Sequence, residues 1–237
     1  MRIPELAQYA VNFPIDIFKT NDTLNIFSDA SMRTISKKNH TLASCYGSVA
    51  VNKDTIIDEW FRCQSESTVP AAEIRGIRCS LILALKWRHM FRTINIFSDS
   101  QISVFGLRDY IYNWKYNEDE KRYYLGKGAR NEVKNQELFI ECYYLLQELR
   151  KTNIVNIFHQ RGHIDNGFDN IKRAAETFKR SNGVQGTVSY EFIRYISVYN
   201  NYVDNKSRSF IRTLNVFENT YSDAVEFYSN GNLYLNT

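Results

Sequence analysis

Glycine and proline are scarce in this chain, 10 and 3 among 237 residues. That excludes a collagen-like, linker-rich or low-complexity chain and favours an ordered globular one. The four cysteines, Cys45, Cys63, Cys79 and Cys142, are scattered, with no Cys-x-x-Cys pair. They read as reduced, buried thiols; a disulfide framework or a zinc site would space them differently. No apolar run reaches membrane-spanning length, and Met1 to Thr23 shows no basic segment followed by an apolar one. The expectation is a soluble, cytoplasmic protein with no membrane partner. Charge of one sign is lacking too. A net charge of +4 is compatible with a polyanionic partner without pointing to one.

What is present is aromatic content, 14% and mostly Tyr and Phe, on a chain long enough for one large domain with additions. Strands are expected at Leu24–Asp29, Ser44–Val51, Asp54–Cys63, near Phe97 and at Ile154–His159. The second and third are joined by the short polar connection Asn52-Lys53. Ile74, Ile77, Leu81, Ala84 and Leu85 recur at helical spacing after Pro70 and predict a helix from about Ala71 to Phe91. Further helices are expected at Gln101–Trp114, Gln136–Lys151 and Tyr190–Leu214, with a tail hairpin around Asn230-Gly231. Val155, Ile157 and His159 alternate with Asn156, Phe158 and Gln160, which points His159 at a sheet face for packing.

Two apolar runs are nearly identical, Leu24-Asn25-Ile26-Phe27-Ser28-Asp29 and Ile94-Asn95-Ile96-Phe97-Ser98-Asp99. No repeat beyond this pair stands out. A strand that ends on an acid delivers it to one edge of a sheet, and two such acids side by side are unfavourable without a cation between them. Either alone could be a turn former or a helix cap, as Asp99-Ser100-Gln101 would be. Two in matched units, with Glu73 at the border of a buried helical stripe between them, make the structural reading weaker. Carboxylates are the hard oxygen ligands that Mg²⁺ and Mn²⁺ prefer.

At this point the chain resembles the ribonuclease H family. The matching pieces run in order: Ile26-Phe27-Ser28-Asp29-Ala30-Ser31, Ala72-Glu73-Ile74, Phe97-Ser98-Asp99-Ser100-Gln101, Tyr110-Ile111-Tyr112-Asn113-Trp114-Lys115, Val133-Lys134-Asn135, Gln160-Arg161-Gly162-His163 and Asn200-Asn201-Tyr202-Val203-Asp204. The resemblance implies an α/β, ribonuclease H-like fold: a mixed five-stranded sheet flanked by helices, with an insertion before the last helix. It implies that Asp29, Glu73, Asp99 and Asp204 ligate two Mg²⁺ or Mn²⁺ ions, about 4 Å apart in such sites, serving both ends of an in-line displacement. His163 would act as a proton shuttle or in product release; a solvated loop histidine is the plainer alternative. Ser31, Ser100, Gln101, Trp114, Lys115, Lys134, Asn135 and Asn200 become candidate substrate contacts. The partner implied is an RNA–DNA hybrid duplex, cut in its RNA strand by a monomeric enzyme.

Residues Lys115 to Lys134 occupy the place of the family's basic substrate-gripping protrusion. Six basic residues there interleave with tyrosines and with four acidic residues, Glu118, Asp119, Glu120 and Glu132, so a solvated helical face is the competing reading. Val69-Pro70-Ala71-Ala72 before Glu73, and Ala30-Ser31 after Asp29, are closer to retroviral-type domains than to cellular ones. The interval from His163 to Asp204 is 41 residues, longer than the family's usual spacing. The domain is therefore expected over 24–208, with an insertion at about 164–198 that covers substrate, binds a protein partner or simply packs. Residues 1–23 and 209–237 are extensions. A DNA nuclease of the same fold, such as a resolvase or transposase-like enzyme, and a non-catalytic nucleic-acid-binding module remain the alternatives. The Asp-x-Glu of related exonucleases is absent.

Overall fold

The computed structural model describes residues 18–36, 41–66, 68–125, 131–164, 167–214, 225–228 and 233–235. The expectations placed on residues 1–17, on Lys127 and Arg130 and on Asn230-Gly231 fall outside them. The chain forms β1 (Thr23–Ser36), β2 (Thr41–Asn52), β3 (Thr55–Glu66), α1 (Val69–Trp87), β4 (Thr93–Ser98) and α2 (Gln101–Phe105). Three short strands follow, β5 (Lys115–Asn117), β6 (Arg122–Leu125) and β7 (Asn131–Glu132). Then come α3 (Gln136–Arg150), β8 (Ile154–His159), α4 (Phe168–Ser181), α5 (Tyr190–Leu214), β9 (Val225–Tyr228) and β10 (Leu233–Leu235).

The main sheet has the order β10-β9-β3-β2-β1-β4-β8. Its five central strands are the expected mixed sheet: β1, β2 and β3 run antiparallel, while β1, β4 and β8 run parallel. The tail hairpin does not stand apart. It joins the edge through β3 and widens the sheet to seven strands.

Side-chain alternation divides the interior in two. Leu24, Ile26, Ile94, Ile96, Val155 and Ile157 face α1 and α3 on one side. Phe27, Phe97 and Phe158 face α4 and α5 on the other, packed with Phe178, Phe192, Tyr195 and Tyr199. The three parallel strands carry the same triplet in register, Asn25-Ile26-Phe27, Asn95-Ile96-Phe97 and Asn156-Ile157-Phe158, so the repeat seen twice in the sequence is threefold. Asn156 donates to Asn95 Oδ1 at 2.9 Å, and Asn95 to Asn25 Oδ1 at 3.0 Å. Phe27 stacks on Phe97 at 4.9 Å between centroids.

Several expectations change, among them the end of the first helix, which closes at Trp87 and not near Phe91. β1 does not stop at Asp29 but runs on to Ser36, because β2 continues to pair along its other edge. Instead β4 stops, at Ser98, leaving Asp29 on a strand edge without a parallel neighbour. The helix expected at Gln101–Trp114 is regular only to Phe105. It widens over Gly106–Tyr110 and tightens over Ile111–Asn113, where Gly106 lies so close to Phe139 that a Cβ would sit 2.4 Å from its ring. Finally, the Lys115–Lys134 segment is no helical face: β5, β6 and β7 form a small antiparallel sheet.

Candidate active site

Small residues set the depth of the site. Ser48 donates to the Gly76 carbonyl at 3.0 Å and meets the Ser80 hydroxyl at 2.8 Å. A Cβ on Gly76 would lie 3.4 Å from the Asp29 carbonyl oxygen. α1 therefore lies tight against β1 and β2, and Glu73, one turn before Gly76, reaches the edge where Asp29 emerges. The helix starts where it does because the Thr68 hydroxyl accepts from the Ala71 N–H at 3.3 Å, with Pro70 in the first turn.

From the other face α5 delivers Asp204. Three tyrosines pin that helix. Asn25 donates to the Tyr195 hydroxyl at 2.9 Å, Tyr199 donates to the Asp54 carbonyl at 3.0 Å, and Tyr202 to Glu59 Oε2 at 2.6 Å.

One oxygen each of Asp29, Glu73 and Asp99 lies within 4.8 Å of the other two. Asp29 is 5% exposed, and Glu73 Oε2 is buried with no hydrogen-bond partner. Burial, with the Asp99 charge second, pushes the Asp29 carboxyl up to about 8. Burial, then Asp29, Asp99 and Asp204, pushes Glu73 up to about 9. Asp99 is also raised by burial, against the pull of Asn200 and His163. Three crowded carboxyls that resist ionisation, one with a bare interior oxygen, are the environment a divalent cation relieves. The donors are all oxygen, which fits Mg²⁺ or Mn²⁺.

Asp204 falls outside that triad. Its Oδ1 takes the Arg208 Nε at 2.8 Å, and its Oδ2 lies 3.7 Å from the His163 Nδ1, though its charge still acts on Asp29 and Glu73. The sequence reading passed over Arg208, which the i, i+4 spacing from Asp204 could have shown. His163 is exposed and held at φ 50°, in the left-handed region. The residue before it packs on the site: a Cβ on Gly162 would sit 2.1 Å from Asp99 Oδ2.

His159 is 3% exposed. Burial lowers its pKa, and Nε2 lies 3.2 Å from the Asp99 carbonyl. It anchors main chain at the site. Asn182, at the end of α4, closes the sheet edge there. Its Oδ1 accepts from the His159 N–H at 2.9 Å and its Nδ2 donates to the His159 carbonyl at 2.7 Å.

The candidate substrate contacts divide by exposure. Gln101, Lys115 and Lys134 are exposed, and Ser31 and Ser100 half-buried, although the Ser100 hydroxyl caps α2 and meets Ser103 Oγ at 2.8 Å. Asn135 is half-buried in a left-handed backbone at the start of α3. Trp114 packs edge-on against Phe139, its indole nitrogen buried without a partner. Within the protrusion Arg122 pairs with Glu132 and Tyr124 with Glu120. Asn200, expected to face substrate, is 1% exposed and lies between Gln160 and Asp99.

A mixed sheet with helices on both faces and a carboxylate triad gathered where the parallel strands end, Asp29 buried and Glu73 and Asp99 half-buried, defines the class of ribonuclease H-like α/β proteins. Residues 21–178 match the family model of RNase H, and the chain belongs to that family. The match ends within α4, ahead of Asp204. No curated protein matches the chain. Among solved structures it is similar to RNase H1 from the archaeon Halobacterium salinarum, at 17% identity over 66% of this chain and 93% of that one, TM-score 0.39. An N-terminal RNase H domain from Mycobacterium tuberculosis gives 17% identity over 66% and 95%, TM-score 0.40. The protease-reverse transcriptase of prototype foamy virus gives 14% over 76% of this chain and 23% of that one, TM-score 0.48. Among the described residues no helix is long and apolar enough to cross a membrane.

Proposed function

We propose that this protein is a divalent-metal-dependent endonuclease that hydrolyses the RNA strand of RNA–DNA hybrids. The observation that carries the reading is the triad Asp29, Glu73 and Asp99, within 4.8 Å, with Glu73 Oε2 buried and unpartnered. Family membership supports this substrate class. Asp29, Glu73 and Asp99 would hold two Mg²⁺ or Mn²⁺ ions with Asp204 beside them. Bound there, the ions would lower the pKa of water and stabilise the departing 3′-oxygen. The protein's own groups do the rest. Asp204 adds negative charge that the cations offset, and Arg208 keeps its carboxylate fixed. His163, exposed and close to Asp204, moves a proton at its imidazole or helps release product. Lys115, Lys134, Gln101 and the half-buried Ser31 and Asn135 offer contacts to phosphates and sugars.

The test is cleavage of labelled RNA–DNA hybrid, duplex RNA, duplex DNA and a four-way junction in Mg²⁺, Mn²⁺ or EDTA. Cleavage of only the hybrid's RNA strand, leaving 5′-phosphate and 3′-hydroxyl ends and stopped by EDTA, is the expected result. Asp29→Asn and Asp99→Asn should lower the rate by about 10³-fold or more. Both should melt no lower than wild type without metal, since each removes a charge that burial opposes. Near-normal metal-dependent rates in these variants would sink the assignment, and cutting of the junction or of duplex DNA instead would move it to a DNA nuclease.

A further inference from the structure

Beyond the shared triplet the third parallel strand departs from the other two, with His159 opposite Ser98 and an amide at the next position. Two residues beyond their Asn-Ile-Phe triplets, β1 and β4 lead to Asp29 and Asp99; β8 leads to Gln160. The Gln160 N–H donates to the Ser98 carbonyl at 3.0 Å, so this residue continues the register beside Asp99. An amide stands where the other two parallel strands, β4 beside it and β1 beyond, carry an acid. It is 1% exposed.

Gln160 Nε2 donates to Asn200 Oδ1 at 2.6 Å, and Asn200 Nδ2 faces Asp99 Oδ2 at 3.5 Å. The direction of this chain is dictated by its last member. A carboxylate that holds a cation only accepts, so to serve that role Asn200 must turn its NH₂ toward Asp99 and its oxygen toward Gln160. Only the NH₂ of Gln160 can meet that oxygen. The consequence is visible: Gln160 Oε1 is buried with no partner. Reversing both amides would turn Asn200's oxygen against the Asp99 carboxylate. Leaving an acceptor bare in the interior is unfavourable, and it persists here because the alternative places two oxygens face to face beside the cation site.

We propose that Gln160 is a positioning residue. Acting through Asn200, it holds the Asp99 carboxylate in the orientation that serves the cations, and it touches neither substrate nor ion. This rests on reading Asp29, Glu73 and Asp99 as a cation site. A neutral amide is required at this position, because an acid would draw Asn200's NH₂ away from Asp99.

The experiment is calorimetric titration of Mn²⁺ into the full chain, with hybrid-cleavage kcat and KM measured across Mg²⁺ concentrations and melting in EDTA as the control for folding. Gln160→Met, which removes the donor at similar volume, should weaken Mn²⁺ binding about tenfold, the lower end for residues that orient metal ligands. The Mg²⁺ needed for half-maximal rate should rise by a similar factor, with KM for hybrid at saturating metal unchanged. Asn200→Leu should do the same, and the double variant should lose no more than Asn200→Leu alone.

Gln160→Glu keeps the shape and reverses the polarity, so it too should weaken Mn²⁺ binding despite the added negative charge. Tighter binding in that variant, wild-type binding in folded Gln160→Met, or additive losses in the double variant would each overturn the proposal. A wild-type chain that binds no Mn²⁺ would overturn the cation site itself and this inference with it. Wild-type binding matched by every variant would overturn this inference alone.

Discussion

Asp99 is the residue on which the site's separate constraints meet. His159 holds its carbonyl, Asn200 faces one carboxylate oxygen, and Gly162 passes so close that no Cβ fits. Gly162 has a steric role here, since the φ in the left-handed region belongs to its neighbour His163. Gly162→Ala should therefore displace the Asp99 carboxylate while leaving the fold nearly as stable, within about 1 kcal/mol. Cleavage of hybrid should fall by about 10²-fold, the order expected when a reacting group moves by an ångström. Comparing melting curves with rates separates the two effects, and a fully active alanine variant would show that Asp99 can move freely.

At the scale of elements, the three parallel strands are held in register by side chains as well as by backbone. Asn95 is the middle rung, donating to Asn25 and accepting from Asn156, and it is 3% exposed. Register matters because a one-residue slip would carry Asp99 to the opposite face. Asn95→Leu would leave one acceptor and one donor of its neighbours without their partners. It should cost about 2–4 kcal/mol in denaturant unfolding, two orphaned polar groups at the usual cost of each. A change below about 0.5 kcal/mol would mean that the ladder adds nothing to the backbone pairing. α1 and α5 approach the sheet from opposite faces, α1 through Gly76 against Asp29 of β1 and Ser48 of β2, α5 through Tyr195 against Asn25 of β1. That is why acids from four separate segments arrive at one edge.

For the whole molecule, the carboxyl cluster couples folding to pH and to cations. Asp29 and Glu73 titrate near 8 and 9 when folded and near 3.8 and 4.5 when exposed. Between those limits the folded chain binds protons that the unfolded chain has released, so unfolding free energy falls as pH rises. Without metal, stability should decline from about pH 5 to about pH 9 through these groups. Divalent cations compete with those protons, so the rise in Tm on adding Mn²⁺ should be larger at about pH 8.5 than at about pH 5.5. Scanning calorimetry with Mn²⁺ and with EDTA checks both signs; a shift independent of pH would contradict a carboxylate cation site.

Much of this was legible in the chain itself. Asp29 and Asp99 could be paired because the strands bearing them share a pattern of apolar residues, and periodicity placed Glu73 at the buried edge of α1 and Tyr190–Leu214 in one helix. Alternation along β8 correctly pointed His159 at a packed face. The place of the protrusion was legible through the resemblance but its strands were not, because short strands rich in Tyr, Lys and Glu carry no periodicity strong enough to separate them from a helix. Nor was the interior place of Asn200, which the family resemblance had offered as a substrate contact, or its link to Gln160.

The sequence by itself determined which residue types reach the sheet edge, since alternation and helical spacing are local properties of the backbone. Only the tertiary structure decided how far apart they stand: Asp29, Glu73 and Asp99 together, Asp204 outside that triad and paired with Arg208, and Gln160 behind Asn200. Those separations depend on how closely α1 and α5 pack on the strands, and packing distance depends on contacts between residues far apart in the chain.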